Sequence, residues 1–424
     1  MPDAARDRYL IVSTDGHAGL LPEKYGDYID PKYRSLFDEH VAAEAAMRAE
    51  REKDFLIKDF NDKWRTGNED KLAAAWDSDL RNQVIDEDGV AAEVLFPDGI
   101  TERNAPPFGA GLGLKPWGVD PELQWAGARA HNRWIAEFCQ MEPTRRIGLA
   151  IVPMLYDVDQ AVAEVIWAHE HGLKGILIPA LMGDWDPYNH PKYYPVWRVC
   201  EERGMVVHNH SGPSPDYDFQ LPGAMGVFLV EFAWWAARPL WHLIFGGVFE
   251  QFPRLKYCLT EVSEFWVPSM LEMMDVRASV KHTSGKLGDF RSNLSMKPSE
   301  YFDRNCWLSA SALFDEGSTA VRHEIGMSNI MWGTDFPHPE GSWPQTREKM
   351  LKYMTGIPED ELTRLLGSNA IDCYDLDDEA LAAEPVLDPF LGRHDRAVVS
   401  SAEMVPDLAV GGLREFAGQE HGQH

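Results

Sequence analysis

The sequence predicts an α/β fold: a closed (β/α)8 barrel with a helical insertion after its first strand and a C-terminal extension. Three observations lead there. Short apolar segments alternate with segments of helical period, which implies a parallel sheet with right-handed crossovers. Eight candidate strands can be counted, the number that closes a barrel. No Gly-rich phosphate fingerprint follows the first strand, which argues against a doubly wound open sheet. A chain of 424 residues is long enough for one such domain with excursions.

The first strand covers residues 9–17, an apolar run that turns polar at its C-terminal end as Thr14-Asp15-Gly16-His17. Residues 20–85 are charged and Ala-rich, with helical patches at 40–55 and 70–75 and no strand signal, and form the insertion. A second strand at 90–97 follows Asp88-Gly89. Residues 98–121 are rich in Gly and Pro and read as a long loop, a length that often marks a functional lid. The rhythm then becomes regular. Helix 122–141 precedes strand 147–153, and helix 158–171 precedes strand 175–179. Helix 193–203, ended by Gly204, leads into strand 205–212. Helix 227–249 runs despite Pro239 into strand 255–261, followed by helix 265–274 and a polar, loop-like stretch at 277–300. Strands at 305–309 and 329–333 flank a short helix at 318–324, and a helix at 359–373 closes the barrel domain, drawn as residues 1–376. Residues 377–424, punctuated by Pro385, Pro389 and Pro406, form the extension, expected to pack over the barrel or a neighbouring subunit.

Composition narrows the partners. With 40 Lys and Arg against 68 Asp and Glu, the formal net charge is −28, which argues against nucleic acid and anionic membrane surfaces. No apolar run approaches the ~18 residues of a spanning helix, and the N-terminus lacks a basic-then-apolar leader. The five cysteines are scattered and form no CxxC pair, so a reducing, cytoplasmic setting is expected.

In a barrel the C-terminal strand ends converge on one site. The polar residues at those ends are Asp15 and His17 on strand one, His208 and His210 on strand five, Glu261 on strand six and Asp335 on strand eight. Period-two alternation puts Asp15 and His17 on one face. Imidazoles mixed with carboxylates, without a thiolate, suit Zn²⁺, Mn²⁺ or Fe²⁺. Asp335 ends an apolar strand and is followed by Phe336-Pro337-His338-Pro339, whose prolines restrain the loop. His338 reads either as a substrate contact or as a structural turn residue. Arg103 and Arg304 are candidate carboxylate clamps. Trp117, Trp185, Trp332 and Trp343 suggest a flat or apolar substrate, whereas His131-Asn132 in mid-helix reads as a packing feature.

Taken together, Ser13-Thr14-Asp15-Gly16-His17, Gly172-Leu173-Lys174-Gly175, His208-Asn209-His210-Ser211-Gly212, Gly247 to Pro253, Gly333 to Pro339 and Gly367-Ser368-Asn369-Ala370 give the chain a recognisable signature. It resembles the amidohydrolase superfamily, in particular the branch of metal-dependent TIM-barrel proteins that contains hydrolases and non-oxidative decarboxylases. The resemblance runs from about residue 9 to 374. It implies one divalent metal ion, Zn²⁺ first with Mn²⁺ and Fe²⁺ as alternatives, held by Asp15, His17, His210 and Asp335. His208 would sit one layer deeper. Strand six departs from the pattern: where decarboxylases of this branch carry histidine, this chain has Thr260-Glu261-Val262-Ser263. Glu261 is then a further ligand, a general acid/base or a hydrogen-bond partner of the ligands.

The expected activity is metal-dependent hydrolysis of an amide, ester, lactone or activated C–C bond, with Asp335, Glu261 and His210 catalytic and with His338, Arg103 and Trp332 on the small-molecule substrate. The alternatives are decarboxylation of an aromatic or unsaturated acid and a non-catalytic binding protein on the same scaffold. A homo-oligomer is expected.

Overall fold

The computed structural model describes residues 9–54, 58–99, 103–279, 291–310 and 319–384, with backbone alone for 48–54 and 58–62. Eight strands form one sheet in sequence order, each parallel to the next. They are β1 (Val12–His17), β2 (Ala92–Phe96), β3 (Arg146–Ile151), β4 (Gly175–Leu177), β5 (Val206–His210), β6 (Tyr257–Thr260), β7 (Cys306–Ala310) and β8 (Ile330–Trp332). The sheet closes on itself just beyond β8. Asp335 N–H donates to the Asp15 carbonyl and His17 N–H to that of Phe336, both at 2.7 Å.

Period-two alternation sorts the side chains into two apolar layers. Val12, Val94, Leu149, Leu177, Val206, Cys258 and Met331 fill the barrel. Ile11, Leu95, Ala150, Ile176, Val207, Leu259, Leu308 and Ile330 face the surrounding helices. β1 breaks the alternation. Its pairing with β2 slips between Ser13 and Gly16, which adds a residue. Val12 faces inward, so without that bulge the inward positions would be even-numbered; with it, Asp15 and His17 turn into the barrel. Gly333 lets β8 come close: a Cβ there would lie 2.5 Å from that of Asp15.

The helices start where sequence chemistry places them. Asp77, Asp120 and Asp157 accept from backbone N–H groups at the starts of Ser78–Asp88, Pro121–Gln140 and Val158–Glu170, and Pro121 occupies the first turn. Between β1 and β2 the chain forms short 3₁₀ turns and the helices Arg34–Asp54, Lys58–Leu72 and Ser78–Asp88. The helix after β5, Ala224–Phe245, begins and ends earlier than its periodicity suggested, because Gly246 and Gly247 end it and a separate turn, Val248–Gln251, follows. The stretch predicted as loop at 277–300 holds the end of Val267–Ala278 and the start of Pro298–Asn305, whose proline stands in its first turn. The short helix before β8 is Arg322–Ile325, and residue 318 lies outside the described residues. Of the extension, Asp378–Ala383 is helical under an Asp377 cap, and 385–424 lie outside the described residues. Among the described residues, no helix is long and apolar enough to cross a membrane.

Candidate metal centre

Asp15, His17, His210 and Asp335 come from three strand ends, yet all are at most 2% exposed. The His17 Nε2 lies 3.4 Å from Asp15 Oδ1 and 3.1 Å from Asp335 Oδ1. His210 Nε2 lies 3.3 Å from Asp15 Oδ1. A third imidazole joins them: His338 Nδ1 lies 2.9 Å from Asp335 Oδ1, and its ring stacks on His17 with centroids 3.9 Å apart. Three overlapping groups, Asp15/His17/His210, His17/Asp335/His338 and, toward the surface, Glu261/Asp335/Glu340, have ligand atoms close enough to hold a divalent metal.

The far side of each ring decides which nitrogen faces inward. His17 Nδ1 is 2.8 Å from the Pro97 carbonyl, His210 Nδ1 is 3.0 Å from that of Ser211, and His338 Nε2 is 3.0 Å from that of Asp98. A carbonyl only accepts, so each of these nitrogens carries its hydrogen, and the opposite nitrogen of the neutral ring presents a lone pair. Those lone pairs face carboxylate oxygens. The buried His17 Nε2 and Asp335 Oδ1 make no aligned hydrogen bond. Acceptor facing acceptor in a dry interior is costly unless a cation or a proton stands between them. Backbone-anchored imidazoles opposite carboxylates are how a protein presents nitrogen and oxygen ligands to a divalent ion, so these residues fit one.

Without a metal, a proton takes that place. Burial opposes charge on His17, His210 and His338, but the facing carboxylates outweigh it and raise all three. Burial alone would raise Asp15, yet the charge of His210 and the bonds from His17 and His210 hold it below the usual carboxylate range. Asp335 is likewise lowered against burial, by the charge of His338 and by His17.

Glu261 sits at the rim, with its side chain 28% exposed and a carboxylate oxygen 3.7 Å from His210 Nδ1. Its Oε2 accepts from Ser211 Oγ, and burial with the nearby Asp335 charge raises it to about 7. Asp98, Glu261 and Asp335, at the ends of β2, β6 and β8, share a left-handed backbone with φ of 69°, 56° and 56°. Such strain costs of order 1–3 kcal/mol per residue and gathers at functional sites. Here backbone bonds hold it, from Asp335 N to Asp15 O at 2.7 Å and from Glu261 N to Ser309 O at 3.0 Å.

Other predicted residues fall elsewhere. His208 lies one layer down, where its ring is parallel to that of Tyr374 and burial lowers it to about 3. Trp332 is wholly buried in the layer between sheet and helices, because Met331 takes the inward position of β8. Its side chain therefore points away from the ligand cluster. Arg103 lines a neighbouring cavity rather than the cluster. Arg304 precedes β7 at the opposite barrel end and bonds the Phe249 carbonyl. His131 and Asn132 are packing residues, bonded to Tyr25 and to the β3 backbone. Sequence reasoning left His338 out of the ligand-forming groups and missed Asp98 altogether. The strand-end rule would have found Asp98, since it follows β2 as Asp335 follows β8.

A family model described as amidohydrolase matches residues 113–376, more than half of the chain. The chain is 24% identical over 309 residues to the 2-amino-3-carboxymuconate-6-semialdehyde decarboxylase of Dictyostelium discoideum, spanning 71% of this chain and 77% of that one. It is 27% identical over 274 residues to the gamma-resorcylate decarboxylase of a Polaromonas species, spanning 61% and 76%. In structure it is similar to the 5-carboxyvanillate decarboxylase of Novosphingobium aromaticivorans in complex with manganese and 4-hydroxy-3-methoxy-5-nitrobenzoic acid. The TM-score is 0.63 at 18% identity, covering 88% of this chain and 97% of that one, a likeness of fold.

Proposed function

The chain belongs to the amidohydrolase family, and from that premise we propose that it is a metal-dependent, non-oxidative decarboxylase of an aromatic or unsaturated carboxylic acid. The observation that carries the metal requirement is the set of buried imidazole nitrogens of His17, His210 and His338 facing the carboxylates of Asp15 and Asp335. The choice of reaction is supported by the two curated relatives, both named as decarboxylases. This displaces hydrolysis, the first expectation from sequence, to second place.

Asp15, His17, His210 and Asp335 would hold the ion, with His338 beside them. A bound divalent ion supplies positive charge that orients the substrate carboxylate and an adjacent phenol or enol oxygen. Manganese is supported by the ion named with the structural relative, and zinc suits the same nitrogen and oxygen donors. Loss of CO₂ leaves the electron pair of the broken C–C bond on carbon, which must take up a proton. We assign that proton to Glu261, whose raised affinity keeps a neutral fraction near pH 7. Ser211 Oγ donates to Oε2, so the proton belongs on Oε1. The carbon keeps that proton in the product, and the partly exposed Glu261 takes a new one from solvent for the next turnover. Self-association is supported by the exposed Val227, Leu229 and Val230 on the helix after β5, and sedimentation reads it directly.

The test is to load the protein with manganese or zinc and follow CO₂ from a panel of hydroxybenzoic and unsaturated acids. Stoichiometric release that stops with a chelator and returns with metal is expected. One feature favours the second reading: Glu261, a carboxylate base, stands where histidine was expected for a decarboxylase. Ester or lactone cleavage without any CO₂ would select that reading and retire the first.

A further inference from the structure

The carboxylates of the metal centre sit on an irregular seam. Seven neighbouring pairs of strands form parallel ladders. Among the described residues, β1 and β8 instead meet in one isolated bridge, Gly16 with Phe336. Asp15 lies inside the bulge of β1, and Asp335 stands one residue before the bridge in a left-handed backbone. Both aspartates are therefore carried where no regular ladder holds the chain.

Buried hydroxyls take the place of that ladder. Ser13 Oγ accepts from the Thr334 N–H at 2.9 Å, and Thr334 Oγ1 accepts from the Phe336 N–H at 3.1 Å. Between these two donors, the Asp335 N–H reaches the Asp15 carbonyl at 2.7 Å. The hydroxyl hydrogens complete the set. Ser13 Oγ donates to the Asp15 carbonyl at 2.9 Å, while Thr334 Oγ1 has that same carbonyl at 3.3 Å and Ser13 Oγ at 3.1 Å. Three consecutive N–H groups, at 334, 335 and 336, are thus fixed by two hydroxyls and one carbonyl. Ser13 and Thr334 are at most 2% exposed, so removing either oxygen strands a backbone N–H in the interior.

We infer that Ser13 and Thr334 are positioning residues of the metal centre: their hydroxyls set the backbone from which the Asp15 and Asp335 carboxylates converge on one ion. The inference rests on the metal reading and not on the choice of reaction. Metal–ligand distances tolerate deviations of only about 0.2 Å, so a small relaxation of the seam is felt as lost affinity.

The experiment reads metal binding without turnover. Metal-free wild type and variants are titrated with manganese and with zinc in competition with a chromophoric chelator. Thr334→Val keeps the branched shape but lacks the oxygen, and should weaken binding about ten- to a hundredfold. Ser13→Ala should weaken it about tenfold, whereas Thr334→Ser, which restores the oxygen, should stay within about threefold of wild type. Ser342 is the comparator. It is buried beside the seam and its Oγ bonds the Thr334 carbonyl, which keeps the Ser342 N–H at 2.8 Å after Ser342→Ala. Ser342→Ala should therefore also stay within about threefold of wild type, although it too loses a buried hydroxyl. Metal-free melting temperatures report folding; if Thr334→Val does not fold, Ser13→Ala against Ser342→Ala decides. Wild-type affinity in both Thr334→Val and Ser13→Ala overturns the inference and leaves the metal centre standing. Equal losses in Thr334→Val and Thr334→Ser, or as large a loss in Ser342→Ala, overturn it as well, because the effect then follows packing rather than the oxygen. A wild-type protein that takes up no ion retires the metal reading and this inference with it.

Discussion

Two groups of charge are buried side by side in this barrel, and they meet at His17. In one, Arg81 and Glu93 are both almost wholly buried and form a two-pronged pair at 2.6 and 2.7 Å. The remaining arm of Arg81 donates to the carbonyls of His17 and Ala74 at 2.8 and 3.2 Å. Donors meet acceptors throughout. In the other, imidazole nitrogens of His17, His210 and His338 face carboxylate oxygens at 2.9 to 3.3 Å, and each contact is matched only when an added proton or a cation stands between the two. The same residue is thus satisfied at its backbone by the first group and left wanting at Nε2 by the second. Burial and charge do not tell a structural cluster from a ligand site; the match of donors to acceptors does.

The comparison breaks most visibly at Asp335. Asp335→Asn should lower turnover by about a thousandfold or more, equivalent to roughly 4 kcal/mol of barrier, and lower metal content in elemental analysis. It should leave the metal-free fold within about 1 kcal/mol of wild type, because His17 and His338, losing the carboxylate that holds their second protons, return to neutral rings and strand no charge. Arg81→Met should do the reverse. It strands Glu93 in the interior and should cost about 3–5 kcal/mol in urea unfolding. If the metal-free Asp335→Asn protein lost as much stability as Arg81→Met, the two groups would be alike and the metal reading would fall.

How far the sequence revealed these groups follows from their geometry. Asp15, His17, His210 and Asp335 were legible because strand ends converge and alternation chooses the face. The bulge in β1 was not, since it depends on pairing with β2, and it is what turns Asp15 inward while Val12 also faces inward. Trp332 was misplaced because β8 is three residues long and its parity is set by Met331. His338 was read as a possible substrate contact, but nothing in a proline-flanked turn announced that its ring would stack on His17 and face Asp335. Arg81 and Glu93 stayed invisible as a pair: one lies on an insertion helix, the other on the outward face of β2.

A smaller effect separates the groups by linkage. Metal should stabilise the protein by about 2.7 kcal/mol at a free concentration one hundred times its dissociation constant. Thermal melts with and without chelator should show that increment in wild type, show it undiminished in Arg81→Met, and lose most of it in His17→Ala. An equal increment in His17→Ala would remove His17 from the ligand set.

The smallest effect lies at the rim and sharpens the boundary of the site. Glu261 is raised from an ordinary value of 4.5 to about 7, so the folded state binds its proton more tightly than the unfolded chain does. The stability it contributes is therefore fully present below about pH 4.5 and is lost as pH rises through about 7. In metal-free protein the stability of wild type relative to Glu261→Gln should decline across that window and be flat outside it. Asp88, raised to about 7 by burial, titrates in both proteins and cancels in the difference. A divalent ion beside Asp335 offsets the negative charge that helps to raise Glu261, so metal should move the declining limb to lower pH. The same limb should appear in turnover as a loss of rate on the alkaline side. A limb that persists unchanged in Glu261→Gln would transfer the proton-carrying role from Glu261 to another group.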